Sequence, residues 1–368
     1  MDKPPQKQVS VSDGRSATIR DVATRARVSV ATVSRVFNSA SVVRGETAER
    51  VLEAAEALRY VPHVGARSLS TRRTNTVGVL LPDLHGEFFS EVIRGIDSAA
   101  RRSGYHLLVS GSHSDWTEMS AVLGATRGRV DGIIVMSPDR DIDTLHAHLP
   151  RGVPAVILNC PHGTGPSISI DNQGGSVAMA DHLVSLGHRR IAFVRGPERN
   201  ADAWERLQGY RAAMKRADLQ DTSVELPGDF TEEGGYAAAT RALELDPRPT
   251  AVFAANDAMA VGALSAARDR GLAVPGDLAI VGFDDIPIAR FVVPPLSTVG
   301  VEIAQFGRRA FELLQDLLSG DGTASRRETI PTRLIIRESC GAGRSGVPGP
   351  AEPSKQQSET VFIGDHHE

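Results

Sequence analysis

A chain of 368 residues with 41% hydrophobic side chains has room for two or three domains at roughly 100–200 residues each. No apolar run approaches the ~20 residues of a membrane span, and two cysteines, Cys160 and Cys340, supply neither a disulfide framework nor metal-ligand spacing. The net charge of −4 hides an asymmetry: residues 17–75 carry ten arginines against five acidic residues, while residues 76–368 have a net charge of −10, so a basic head, not the whole surface, is placed to meet a polyanion.

Residues 1–16, MDKPPQKQVSVSDGRS, are polar and proline-bearing, unlike a secretory signal, and read as disordered. A cytoplasmic protein without a membrane partner is the expectation. Residues 18–38, TIRDVATRARVSVATVSRVFN, predict two short helices joined by a tight turn. Thr18 caps the first, with Asp21 as its capping-box partner. Ile19, Val22, Ala23 and Ala26 form one apolar stripe. Arg27 and Val28 make the turn, and Ser29 caps the second helix. Val33, Val36 and Phe37 face inward. The outward face is Val30, Ala31, Ser34, Arg35 and Asn38, small, hydroxylated or basic. A helix needs such a face to enter a major groove, although a helical hairpin at the edge of a core has the same periodicity.

A third helix is predicted from Gly45 to Arg59, with Val51, Ala54, Ala55 and Leu58 as its stripe, closing a small core over Val22, Val33, Val36 and Leu52. Residues 17–62 thus form an all-α domain. Residues 63–75 follow as a connector. Its first part, HVGARSLST, is short and basic. It reads either as a flexible linker or as a helix that forms only against DNA. Gly65 favours the linker, since Gly costs a helix about 1 kcal/mol against Ala.

From Thr76 strands and helices alternate. Strands are predicted at Thr76–Leu81, His106–Ser110, Gly132–Met136, Ala155–Leu158, Ile191–Val194, Ala251–Ala254 and Leu278–Phe283. Helices such as Phe88–Arg102, Asn172–Leu186 and Asp257–Arg270 lie between them. This pattern means parallel sheet covered on both faces, and residues 76–342 are too many for one such sheet, so two lobes are expected. Residues 343–368, rich in Gly, Pro and Ser, read as a disordered tail. No P-loop is present and no GxGxxG opens a helix after the first core strand. The lone histidines lack nucleophile or metal partners, so neither enzyme activity nor a cofactor is expected.

The head run TIRDVATRARVSVATVSRVFN, the third helix and ARSLSTRRTNTVGVLLPDL closely resemble the lactose-repressor (LacI/GalR) family of bacterial transcription regulators. The likeness continues through GHRRIAFVRGP, WERLQGYRAAM, PTAVFAANDAMAVGAL, VPGDLAIVGFDDIP, PLSTVGVE and LIIRESCG, covering about residues 17–342 in order. It implies a helix-turn-helix head on a two-lobed, periplasmic-binding-protein-like α/β core. It further implies a homodimer on double-stranded DNA with a near-palindromic operator, regulated by a small-molecule effector. Carried onto this chain, Val30, Ala31 and Arg35 fall where the family reads bases. Thr18, Ser29, Thr32, Ser34 and Asn38 fall where it contacts phosphates. Leu69 matches the hinge leucine that wedges open a base step, with Ala66 and Arg67 close to the minor groove. Arg27 stands where the family often has Gly or Asn, and Gly65 where it often has Ala. A secreted sugar-binding protein would share the core phrases but not the basic head.

The resemblance puts the effector between the lobes, at the carboxyl ends of strands. Arg206 and Asp284 are the principal contacts it implies, then Asn256. Asp83, Asp202, Phe88, Phe89, Trp204 and Phe230 complete the expected set. Asp83 also suits a turn, and Asn256 or Asp257 a helix cap. Carboxylates at Asp83, Asp202 and Asp284 point to a neutral, polyhydroxylated effector, a carbohydrate, whereas aromatic faces also suit a purine or nucleoside.

Overall fold

The computed structural model describes residues 17–38, 45–60, 73–112, 115–136, 141–160, 165–320 and 326–342. They divide into two compact units, one holding the head with residues up to Thr76 and Gly128–Asp131, the other the remaining core.

The head has three helices, α1 (Ile19–Ala26), α2 (Val30–Asn38) and α3 (Gly45–Ala57). The Asp21 carboxylate accepts from the Thr18 N–H at 2.8 Å and the Thr18 hydroxyl at 2.7 Å, tying down the start of α1. Arg27 ends α1 in the left-handed region, φ 54° and ψ 47°. There the Val28 N–H reaches the Ala23 carbonyl at 3.0 Å. Ser29 then accepts from the Thr32 N–H at 3.1 Å as the cap of α2. Val22, Ala23, Ala26, Val33, Val36, Val51, Ala54 and Ala55 are the buried core, with Phe37 and Tyr60 tilted together 5.8 Å apart beside it. Leu52 corrects the expectation: it is 51% exposed, because the 3.6-residue period that buries Val51, Ala54 and Ala55 turns position 52 outward.

In the core, one sheet has strand order β11-β5-β4-β3-β1-β2, where β1 is Thr76–Leu81, β2 His106–Gly111, β3 Gly132–Met136, β4 Ala155–Leu158, β5 Ser167–Ile170 and β11 Arg327–Ile330. The other has order β12-β10-β9-β8-β6-β7, with β6 Ile191–Val194, β7 Val224–Leu226, β8 Ala251–Ala254, β9 Ala279–Asp284, β10 Ser297–Gly300 and β12 Arg333–Ile335. β10 and β12 pair antiparallel; β1, β3, β4, β5 and β11 run parallel, as do β6 to β10. Every strand expected from sequence is present to within a residue or two. β5, β7, β10, β11 and β12 are additional.

Lobe 1 carries α4 (Glu87–Arg102), α5 (Trp116–Thr126), α6 (Ile142–His148) and α11 (Ile303–Ser319); lobe 2 carries α7 (Asn172–Ser185), α8 (Ala201–Arg216), α9 (Glu232–Leu243) and α10 (Asp257–Asp269). The chain passes between the sheets three times, after β5, after β10 and between β11 and β12. α11 returns to lie against α4 so closely that a Cβ at Gly95 would sit 2.0 Å from the Ala304 carbonyl oxygen. Only glycine permits that approach. Among the described residues no helix is long and apolar enough to cross a membrane.

Candidate functional site

The outward face of α2 carries the residues expected to read DNA. Arg35 and Ala31 are exposed, Val30 is 42% exposed, and Thr32 and Ser34 are half-buried. The hydroxyls of Ser29 and Thr32 lie 2.9 Å apart, so one proton serves that contact and one is left to donate outward. The Thr18 hydroxyl is committed to Asp21, leaving it an acceptor only. Arg20 and Arg25 are also exposed on α1, further basic groups that the sequence reading did not single out. Asn38 ends α2, but its side chain lies outside the described residues, as do Ala66, Arg67 and Leu69.

The core brings together residues distant in sequence. Arg206, on α8, is 2% exposed. Its Nε donates to Asn172 Oδ1 at 2.8 Å, Nη1 to the Ala255 carbonyl at 2.7 Å, and Nη2 to Asp284 Oδ1 at 2.8 Å. Its guanidinium lies 3.8 Å from the Phe283 ring centre and 5.9 Å from that of Phe230. One planar cation is thus fixed by an amide, a carbonyl, a carboxylate and an aromatic face.

Asp202 stands one turn earlier on α8. Asn159, at the end of β4 in lobe 1, donates through Nδ2 to Asp202 Oδ2 at 2.6 Å. Asn172, opening α7, donates to Asp202 Oδ1 at 2.8 Å and to Glu205 Oε2 at 3.3 Å. Asp202 therefore joins the lobes. A second link runs from the Ile288 N–H to Glu87 Oε2 at 2.9 Å. Asn159 Oδ1 is buried without a hydrogen-bond partner.

Half-buried Asp202 and buried Asp284 share the Arg206 guanidinium, and buried Asp257 lies beyond Asp284. Burial pushes Asp202 up to about 7, with Arg206 opposing and Glu205 and Asp284 adding to the rise. Burial likewise raises Asp284, again against Arg206, and holds Asp257 well above the usual carboxylate range. Asp257 accepts from the Thr298 hydroxyl at 2.6 Å and the Ile286 N–H at 3.0 Å. Asp284 and Asp285 both have positive φ, 111° and 55°. Arg337 holds that turn, donating to Asp285 Oδ1 at 2.7 Å.

Other expected residues fall differently. Asn256 caps α10, accepting from the Met259 N–H at 3.0 Å and donating to the Phe230 carbonyl at 3.0 Å. The cap reading of that residue holds, and the amide also positions Phe230. Asp83 is exposed and bonds the N–H groups of Leu84 and His85 at 2.6 and 3.0 Å, a turn. Phe88 and Phe89 meet edge to face at 5.5 Å and are half-buried. Trp204 is 41% exposed. Asn159, Asn172 and Glu205 escaped the sequence reading; the only signal for Asn172 was its place after the short SISI run.

Known proteins resemble both parts. Residues 18–63 match the family described as "Bacterial regulatory proteins, lacI family", and residues 180–340 match a periplasmic binding protein-like domain. The HTH-type transcriptional repressor CytR of Escherichia coli (strain K12) is 36% identical over 331 residues, 89% of this chain and 97% of the relative. The lac repressor dimer bound to operator and the anti-inducer ONPF superposes with a TM-score of 0.81 at 30% identity, covering 89% of this chain and 99% of that one. The transcriptional regulator CelR in its cellobiose complex has a TM-score of 0.67 at 33% identity, covering 88% and 99%. With a small three-helix head whose second helix exposes Arg35, a two-lobed core, and a repressor matched along nearly its whole length, the chain belongs to the lacI family of bacterial regulatory proteins.

Proposed function

We propose that the protein is a homodimeric transcriptional repressor in the cytoplasm, holding a near-palindromic operator through α2 and setting its affinity by a small effector bound between the core lobes. The observation that carries this reading is the network from Asn159 through Asp202 and Asn172 to Arg206 and Asp284. It runs from one lobe to the other at the strand ends, so a ligand that rearranges it changes the angle between the lobes. The operator complex of the lac repressor supports the DNA role. The apolar loop after β9, with Phe291 72% and Val293 90% exposed, supports a surface covered by a second copy.

Arg35 is the principal base reader, bonding a guanine edge, with Val30 and Ala31 offering apolar contact. In the cleft, Arg206, Asp284, Asp202 and Asn256 hold the effector, and Phe230, Phe88, Phe89 and Trp204 cover its faces. Acceptors outnumber donors there, since Arg206 is engaged at all three nitrogens while Asp202, Glu205 and Asp284 crowd it. That balance favours a neutral molecule rich in hydroxyl donors, a carbohydrate. The flat faces of Phe230 and Phe283 against Arg206 favour a nucleoside as the second reading.

A thermal-shift screen of the full chain against neutral sugars, sugar phosphates and nucleosides tests the effector. Neutral sugars raise the melting temperature and phosphorylated ones do not; a hit confined to sugar phosphates overturns the charge argument. The same hit changes operator affinity by about 1–3 kcal/mol of coupling. A ligand that stabilises the core and leaves operator affinity untouched contradicts the mechanism.

A further inference from the structure

One side chain fastens the start of the core. Asp131, immediately before β3, accepts at Oδ1 from the Thr74 N–H at 2.6 Å and the Thr74 hydroxyl at 2.8 Å. Its Oδ2 accepts from the Asn75 N–H at 2.9 Å. The Asp131 N–H in turn donates to the Thr76 carbonyl at 2.8 Å. Thr76 folds back on Thr74, its N–H reaching Thr74 Oγ1 and its hydroxyl the Thr74 carbonyl, both at 3.2 Å. Asn75 adopts φ 49° to make this possible, a conformation Asn tolerates better than most residues.

The sheet itself does not require these bonds. The β1–β3 register begins at Val77 opposite Gly132, and the fully buried residues of β1 begin at Val77. Thr74 is half-buried and Asn75 exposed, so they add little to the hydrophobic core. What three charge-assisted bonds to one carboxylate do is fix the point at which the chain arriving from the head joins the core.

Resting on the operator-binding reading above, we infer that Asp131 is a positioning residue: it sets the length of chain between each head and its core, and so the half-site spacing that the dimer accepts. Release of residues 73–75 lengthens that connection by up to ~10 Å per protomer. That equals about three base-pair steps at 3.4 Å each. A longer tether lowers the effective concentration of the second head once the first has docked, and it blurs the preferred separation.

The test uses the full chain and a duplex that the wild type enriches from a random pool. The duplex is prepared as the full palindrome, as one half-site, and with two base pairs inserted at its centre. Asp131→Ala is expected to bind the full palindrome about tenfold more weakly, to bind the half-site within twofold of wild type, and to lose much of the penalty for the insertion. Asp131→Asn, which keeps Oδ1 for Thr74, falls between. Thr74→Val removes two bonds, the one to Asp131 Oδ1 and the one from the Thr76 N–H, and serves if Asp131→Ala melts below the assay temperature. Parallel losses on half-site and palindrome overturn the inference, because a damaged head or fold produces them. Unchanged affinity and unchanged spacing preference overturn it too. A wild type that enriches no duplex overturns the operator reading itself, and this inference with it.

Discussion

Arg35 in the head and Arg206 in the core, the two arginines proposed above to act on DNA and effector, have opposite surroundings. Arg35 stands exposed on α2, carried by a core of alanines and valines. Arg206 is 2% exposed, bonded through all three nitrogens and stacked on Phe283. An exposed guanidinium costs folding little, so its loss is expected to appear in binding and not in stability. A buried one is part of the fold, and any role toward a ligand is entangled with stability.

That contrast is broken most easily from the core. Arg206→Ala strands Asp284 and its neighbouring carboxylates without their cation and is expected to cost about 3–5 kcal/mol of stability in urea unfolding. A loss below about 1 kcal/mol puts Arg206 in the same class as an exposed residue and removes the contrast. Arg35→Ala is expected to weaken operator binding by about 1–3 kcal/mol, with relaxed preference at one base position and an unchanged melting temperature. A shifted melting temperature makes Arg35 a structural residue.

A finer test uses protons. Asp202 has a folded value of about 7 against an ordinary 3.8. The folded state therefore holds this proton more tightly than the unfolded one. Its contribution to stability is full below about pH 4 and is lost as the pH rises through 7. Asp202→Asn cannot titrate, and the Asn159 amide can turn its unpartnered Oδ1 toward the new donor. Stability measured from pH 5 to 8 should flatten in the variant by about 1–2 kcal/mol; the wild-type slope retained in full shows that other groups set it. The smallest effect is expected from Arg27→Gly. Relief of the left-handed conformation stabilises the head by about 1 kcal/mol or less, while loss of an exposed cation weakens DNA binding and lowers its salt dependence. Tighter binding by that variant shows that the exposed Arg27 cation takes no part in holding DNA.

What could be read from sequence was local. The caps at Thr18, Asp21 and Ser29 follow from spacings within a few turns of chain, and the two lobes from the length of the alternating strand and helix region; the left-handed Arg27 was hinted at only by the Gly or Asn usual there in the family. Arg206 and Asp284 were legible only through family phrases, WER and GFDD. Asn159 was not legible at all, and Asn172 only as the residue that opens a helix after the SISI run. A single amide has no periodicity, and their partner Asp202 lies 43 and 30 positions away. The extra strands were missed for a related reason: β5 alternates Ser with Ile, and β7 and β12 have only three residues each. Leu52 is apolar but out of helical phase with Val51, Ala54 and Ala55, so its composition alone does not place it.

The three passages of the chain between the sheets have a consequence for engineering. No contiguous stretch of the gene encodes a whole lobe. Lobe 2 is residues 172–300 together with 333–342, and the piece between them belongs to lobe 1. A chimera that borrows the effector preference of a relative must therefore import two blocks around a retained α11 and β11. A single-block graft leaves β12 of the parent paired against β10 of the donor, and the Arg337–Asp285 bond then spans two ancestries.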